Sequence, residues 1–109
     1  MSFLRRKPES ATVPLSCSEP VAVAIAEAAE RACVCVCGKV TRMTARPTSG
    51  QPSLAVSITD GTGTITAVWS GRRSIGGVTL GRRMAVEGVA IRHGTHLEFT
   101  NPKYTLLPR

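Results

Sequence analysis

The chain has 109 residues, 42% of them hydrophobic, enough for one domain with a modest core and too few for a second. It carries 14 Lys and Arg against 7 Asp and Glu, a net charge of +7, and only four aromatic residues: two Phe, one Trp and one Tyr. From Arg31 onward eleven basic residues face only Asp60, Glu87 and Glu98, a net +8 that attracts polyanions, and no run approaches the roughly 20 apolar residues of a membrane-spanning helix.

Residues 1–17 are polar, contain two prolines and show no period, so they are read as a flexible N-terminal tail. The basic stretch FLRRK is not read as a secretory leader, because PESATVPLSCSEP stands where an apolar run of about 7–15 residues would be needed. A cytoplasmic location is therefore expected. Ser18 as N-cap, Glu19 and Pro20 in a first turn and an Ala-rich run to Arg31 predict one short α-helix over residues 18–31. Its narrow apolar face, Val21, Ile25 and Ala28 or Ala29, is too weak to stand alone and is expected to dock on the body formed by residues 32–109.

At Cys33 the period changes from helical to two. Val34, Val36, Gly38 and Val40 share one side of a long first strand, and Cys33, Cys35, Cys37, Lys39 and Thr41 share the other. Gly38 marks a bulge or a close backbone approach. ARPTSGQPS, residues 45–53, has the composition of a loop. A second strand then points Leu54, Val56 and Ile58 inward, DGTG at 60–63 makes a tight turn, and a third strand carries Ile65, Ala67 and Trp69 on one side. The basic, glycine-rich segment 70–81 is too broken for a helix. In the fourth strand Met84 and Val86 share a parity while Val89 and Ile91 take the other, which predicts a second bulge at Gly88. Leu97 and Phe99 belong to a short fifth strand.

The cysteines Cys33, Cys35 and Cys37 stand at alternate positions, about 6.5–7 Å apart along one strand. That spacing does not suit three thiolates on one tetrahedral metal, nor a disulfide between strand neighbours, and no C-x₂-C pair is present. They are read as small, fairly apolar residues on a half-covered strand face. Cys17, in the tail, is given no role. No metal and no cofactor is expected.

Five strands with two glycine-marked bends and no long helix describe a small, strongly curved antiparallel barrel. An oligonucleotide/oligosaccharide-binding (OB) barrel suits the long first strand and the extended connection after the third, and an SH3-like barrel is the nearest competitor. The stretch ITDGTGTITAVWSGRRSIGGVTLGRRMAVEGVAIRHGTHLEFTNPKY resembles the OB-fold nucleic-acid-binding family, most of all its small stand-alone actinobacterial members, and is similar to the wedge domain of the RecG branch-migration helicase. The resemblance spans residues 31–104 and rests on the D-x-T-G turn at Asp60, on Trp69 closing its strand, on Gly81 ahead of VEGVA and on NPKY at 101–104. It implies an all-β, five-stranded OB-fold barrel, here preceded by the short N-terminal α-helix. It does not carry over ATP-driven branch migration, since no motor domain is present.

OB-folds hold single strands by joining a basic groove to aromatic stacking platforms. The cations that could supply the first are Arg42, Arg46, Arg72, Arg73, Arg82, Arg92 and Lys103, with GRRS at 71–74 the leading phosphate contact. Trp69 and Phe99 lie on apolar series and are read as core, which leaves Tyr104 as the stacking candidate. A nucleic-acid-binding protein is expected, with single-stranded or branched DNA favoured over RNA, and it is read as non-catalytic because the three acids of the body do not assemble with a nucleophile and a base. The other class that fits is a protein-interaction adaptor that presents an edge strand or the N-terminal helix to a protein partner. Saccharide binding is a distant third, for want of aromatic platforms.

Overall fold

The computed structural model describes residues 17, 19–48 and 50–108, without the side chains of Pro47 and Thr48. Apart from Cys17, the tail expected over residues 1–17 lies outside them, as does Ser18. Seven strands run through the described residues: β1 (Val21–Ala22), β2 (Cys33–Thr48), β3 (Gln51–Thr59), β4 (Thr64–Ser70), β5 (Arg83–His93), β6 (His96–Thr100) and β7 (Lys103–Leu106). They form one sheet in the order β1-β2-β3-β4-β6-β5-β7, and a further β2–β5 pairing turns β2, β3, β4, β6 and β5 into a ring. The expected five-stranded barrel is this ring, and β1 and β7 are added at its edges.

β2 serves both halves. Cys33 to Lys39 pair with β5, and Lys39 to Thr48 pair with β3. The change of partner needs the bend expected near Gly38. A Cβ there would stand 2.7 Å from the Thr59 carbonyl oxygen, so only glycine lets β2 press this closely on the end of β3. The extra residue that shifts the register comes slightly later, between Val40 and Arg42. Alternation places Val36, Val40, Val56, Ile58, Ile65, Ala67, Met84, Val86, Ala90 and Phe99 inside the ring, and Trp69 is also buried.

Three local readings are corrected. The α-helix over residues 18–31 is absent. Val21 and Ala22 pair in parallel with Val34 and Cys35, and only Ile25–Glu27 makes a single 3-10 turn. Tertiary contacts override the helix propensity of this Ala-rich run: Ile25 is buried in the core, and its N–H donates to Asp60 Oδ2 at 2.9 Å while the Ala26 N–H donates to Thr62 Oγ1 at 3.1 Å. Arg31 then takes a left-handed conformation (φ 68°) and its N–H donates to Ala90 O, which an α-helix could not accommodate.

The loop expected over residues 45–53 is instead mostly strand, with Pro47 opposite Pro52. Neither residue has an N–H, so the two face each other as a non-hydrogen-bonded pair and the ladder loses no donor. Gly88 carries no bulge. Met84, Val86, Gly88 and Ala90 keep one parity in an unbroken register with β2 and β6, and Val89 and Ile91 stand half-buried on the outer face.

The cysteine reading is also corrected. Cys17 and Cys33 form a disulfide, with Cα atoms 5.5 Å apart. The strand-neighbour argument covered only Cys33, Cys35 and Cys37, whereas the partner arrives from the N-terminal segment that β1 lays along β2. Cys35 is half-buried and Cys37 exposed, both as free thiols. Burial, then the neighbouring Cys37 and the charge of Glu87, push the Cys35 pKa up.

Candidate nucleic-acid interface

At the far end of β4 the ring is closed by side chains. The chain leaves β6 through Asn101, which is left-handed (φ 50°); its N–H donates to Val68 O at 2.7 Å and its Oδ1 accepts the Ser70 N–H at 2.9 Å. The next residue, Pro102, accepts a hydrogen bond from Trp69 Nε1 at 3.1 Å. This docked turn redirects the chain from the β4 side to the β5 side, where β7 pairs Lys103 with Glu87 and Tyr104 with Val86. The Tyr104 ring then meets Trp69 edge to face, with centroids 5.7 Å apart and planes at 80°.

A groove of about 550 Å³ opens over this junction, lined by Trp69, Arg72, Glu87, Lys103 and Tyr104 among others. Trp69, 5% exposed, is its floor, as its place on the apolar series predicts. Tyr104, 37% exposed, is the ring a planar ligand can reach. Arg72 and Lys103 are exposed at its rim. Three of the eight residues singled out from sequence, Arg72, Lys103 and Tyr104, thus meet in one depression, with Arg73 beside Arg72 in the chain. Glu87 was not singled out. Its only sequence signal is being one of three acids in a basic body.

The other cations are dispersed. Arg42 is exposed on the outer face of β2, in a row with Ser57 of β3 and Thr66 of β4. Arg46 reaches across that face to β6, where Nη1 contacts Glu98 Oε2 at 3.2 Å, and His96 Nε2 lies 3.2 Å from the same oxygen. Glu98, Ser53 and Ala55 are buried although they point outward, and Glu98 is covered in part by its contact with Arg46. Arg82 is half-buried, and its Nε lies in the interior with no hydrogen-bond partner among the described residues. Arg92 is held by Glu30, Nε to Oε1 at 3.6 Å, with a second bond from its N–H to Oε2.

Asp60 has more to do than its turn. Oδ1 accepts the N–H and the hydroxyl of Thr62, and Oδ2 accepts the Ile25 N–H. These donors, the Ile25 N–H first, hold its pKa down to about 2. Among the described residues no group of three or more His, Cys, Asp or Glu side chains is arranged to hold a metal ion, and no helix is long and apolar enough to cross a membrane.

In comparisons with known proteins, residues 34–107 match the tRNA anti-codon family, described as an OB-fold nucleic acid binding domain. None of the curated proteins matches the chain.

Proposed function

Because the chain belongs to the OB-fold nucleic-acid-binding family, we propose that it is a non-catalytic binder of single-stranded or branched DNA. The observation that supports this reading is the convergence of Arg72, Lys103 and Tyr104 on one groove. Cations at the rim follow a phosphate backbone, and an exposed tyrosine face stacks on a base of any sequence. Arg73, exposed and next to Arg72 in the chain, adds a cation near the groove, whereas Arg42 stands apart on the outer face of β2. Arg46 and Arg92, already engaged by Glu98 and Glu30, contribute less.

A single strand suits the groove better than a duplex, whose paired bases present no face to Tyr104. The non-catalytic reading is supported by how two acids among the described residues are engaged: Asp60 gives Oδ1 to Thr62 and Oδ2 to the Ile25 N–H, and Glu98 faces Arg46. The location that fits a nucleic-acid partner is the cytoplasm. There, reducing conditions favour the two free thiols over the Cys17–Cys33 bond, so the bond is not expected to be a permanent staple.

Fluorescence anisotropy with labelled single-stranded DNA, duplex, forked DNA and RNA over a salt series tests the reading. Three phosphate contacts, from Arg72, Arg73 and Lys103, predict a log–log salt slope of about −2 on single strands, and the R72A/R73A variant should lose about 1.4 of it. Absence of binding to every form at low salt would refute the proposal and move the weight to a protein-interaction adaptor.

A further inference from the structure

A carboxylate in a groove meant for a polyanion is a cost unless it does something, because it repels every phosphate that enters. Glu87 lines the groove with Arg72, Lys103 and Tyr104. It sits in the middle of β5, paired to Cys35 of β2 on one side and Lys103 of β7 on the other, so the backbone that carries it is held by two strands. Among the described residues no ion pair joins Glu87 to Arg72 or to Lys103, which leaves its oxygens free to accept from something in the groove.

We propose that Glu87 makes the groove selective for an unpaired base with N–H donors on its Watson–Crick edge, guanine above all, and against thymine and uracil. The proposal rests on the nucleic-acid reading of the same groove. An ionised carboxylate only accepts, through two oxygens side by side. Guanine answers with two adjacent donors, N1–H and the N2 amino group. Cytosine and adenine each offer one amino donor, the pairing already familiar for Glu with cytosine N4. Thymine and uracil offer a single N3–H flanked by two carbonyl oxygens, both of which would face the carboxylate.

The other lining residues support the same pose. In this pose the exposed part of Tyr104 stacks on the base, Arg72 and Lys103 reach the flanking phosphates, and the base edge crosses the start of β7 to meet Glu87, which stands opposite Lys103 and on the other parity from Tyr104. The depression, about 550 Å³ and open to solvent, has room for one base beside Tyr104. In a duplex the Watson–Crick edge is already used, so this selectivity can act only on single strands.

The test is anisotropy at fixed low salt with three labelled twelve-nucleotide DNA strands: all thymine, thymine with four spaced guanines, and the same strand with inosine at those positions. Inosine keeps N1–H and lacks the N2 amino group. The wild-type protein should bind guanine over inosine over thymine, with guanine preferred to thymine by about tenfold or more. E87Q, whose amide offers one acceptor and one donor, should bring all three strands within about twofold while binding the thymine strand at least as well as the wild type does. E87A, a second variant, should lose the ranking in the same way, and circular dichroism reports whether each is folded. Equal binding of the three strands by the wild type, or a guanine preference that survives in folded E87Q and E87A, overturns the role of Glu87 and leaves nucleic-acid binding intact. Failure to bind any strand overturns both.

Discussion

Replacing Gly38 by alanine tests the bend on which the ring depends. The added Cβ would stand 2.7 Å from the Thr59 carbonyl oxygen, 3.0 Å from its carbonyl carbon and 3.2 Å from its nitrogen, whereas ordinary contact begins at 3.4 Å. Backbone must therefore retreat by about 0.7 Å, and Thr59 has nowhere easy to go. It is paired with Lys39 and with Thr64, and its hydroxyl donates to Gly63 O at 2.8 Å. The residue after it, Asp60, holds the Ile25 N–H. Forced overpacking costs about 1–3 kcal/mol, and the reduced freedom of the unfolded chain returns roughly 0.4–1 kcal/mol. A net loss of about 1–2 kcal/mol should lower Tm by roughly 4–16 °C for a domain of this size. The control is Gly76→Ala, where an added Cβ meets nothing within 4 Å and the backbone is not left-handed, so Tm should hold or rise slightly. Thermal melts followed by circular dichroism decide it. A G38A variant that melts within a degree of the wild type, or a G76A variant that falls as far as G38A, would refute the close-approach argument.

Tyr104→Ala should weaken single-stranded DNA binding by about 1–3 kcal/mol, roughly 5- to 150-fold, without changing the salt slope, and Tyr104→Phe should keep most of the affinity; anisotropy reads both. The Cys17–Cys33 bond spans a sequence separation of 16, which by loop entropy is worth about 3 kcal/mol, so a thiol reductant should lower the wild-type Tm and leave a C17S/C33S variant unmoved. Asp60 titrates at about 2 when folded and at 3.8 as a free side chain, so its support for the fold is complete above about pH 4 and disappears as the pH falls through 2. Melts of D60N against the wild type should therefore converge across that acid window, and a gap that stays constant down to pH 2 would contradict the assignment.

Strand content was legible because a barrel wall has one dry side, and alternation in VSIT and TITAVW reports that side directly. Gly38 was legible for a related reason: a glycine among inward valines has no packing purpose except close approach. What the local pattern could not carry was long-range. Ile25 is tied down by a carboxylate 35 positions away, and nothing in an Ala-rich run reveals it. The Gly88 bulge was inferred from Val89 and Ile91 by assuming that β-branched residues point inward. Ala90 is the residue that does, and it shows how a small side chain can hide the true parity. For the interface, the residue types were readable and their meeting was not. Arg72 and Tyr104 come together only because the Asn101 turn docks on β4, and Arg46 is engaged by Glu98 across two intervening strands.

The matched family stretch begins at residue 34, but the physical unit starts earlier. A fragment excised at that boundary would lack Ile25, leaving a hole in the core beside the hairpin and an Asp60 carboxylate stripped of one of its donors. It would also bare the side of β2 along which Val21 and Ala22 now lie, a raw strand edge of the kind that recruits other copies into aggregates. Residues 21–27 therefore cover an edge as well as fill the core, and a version cut at residue 34 should melt lower and self-associate more than the longer chain, which thermal melts and size-exclusion chromatography would show.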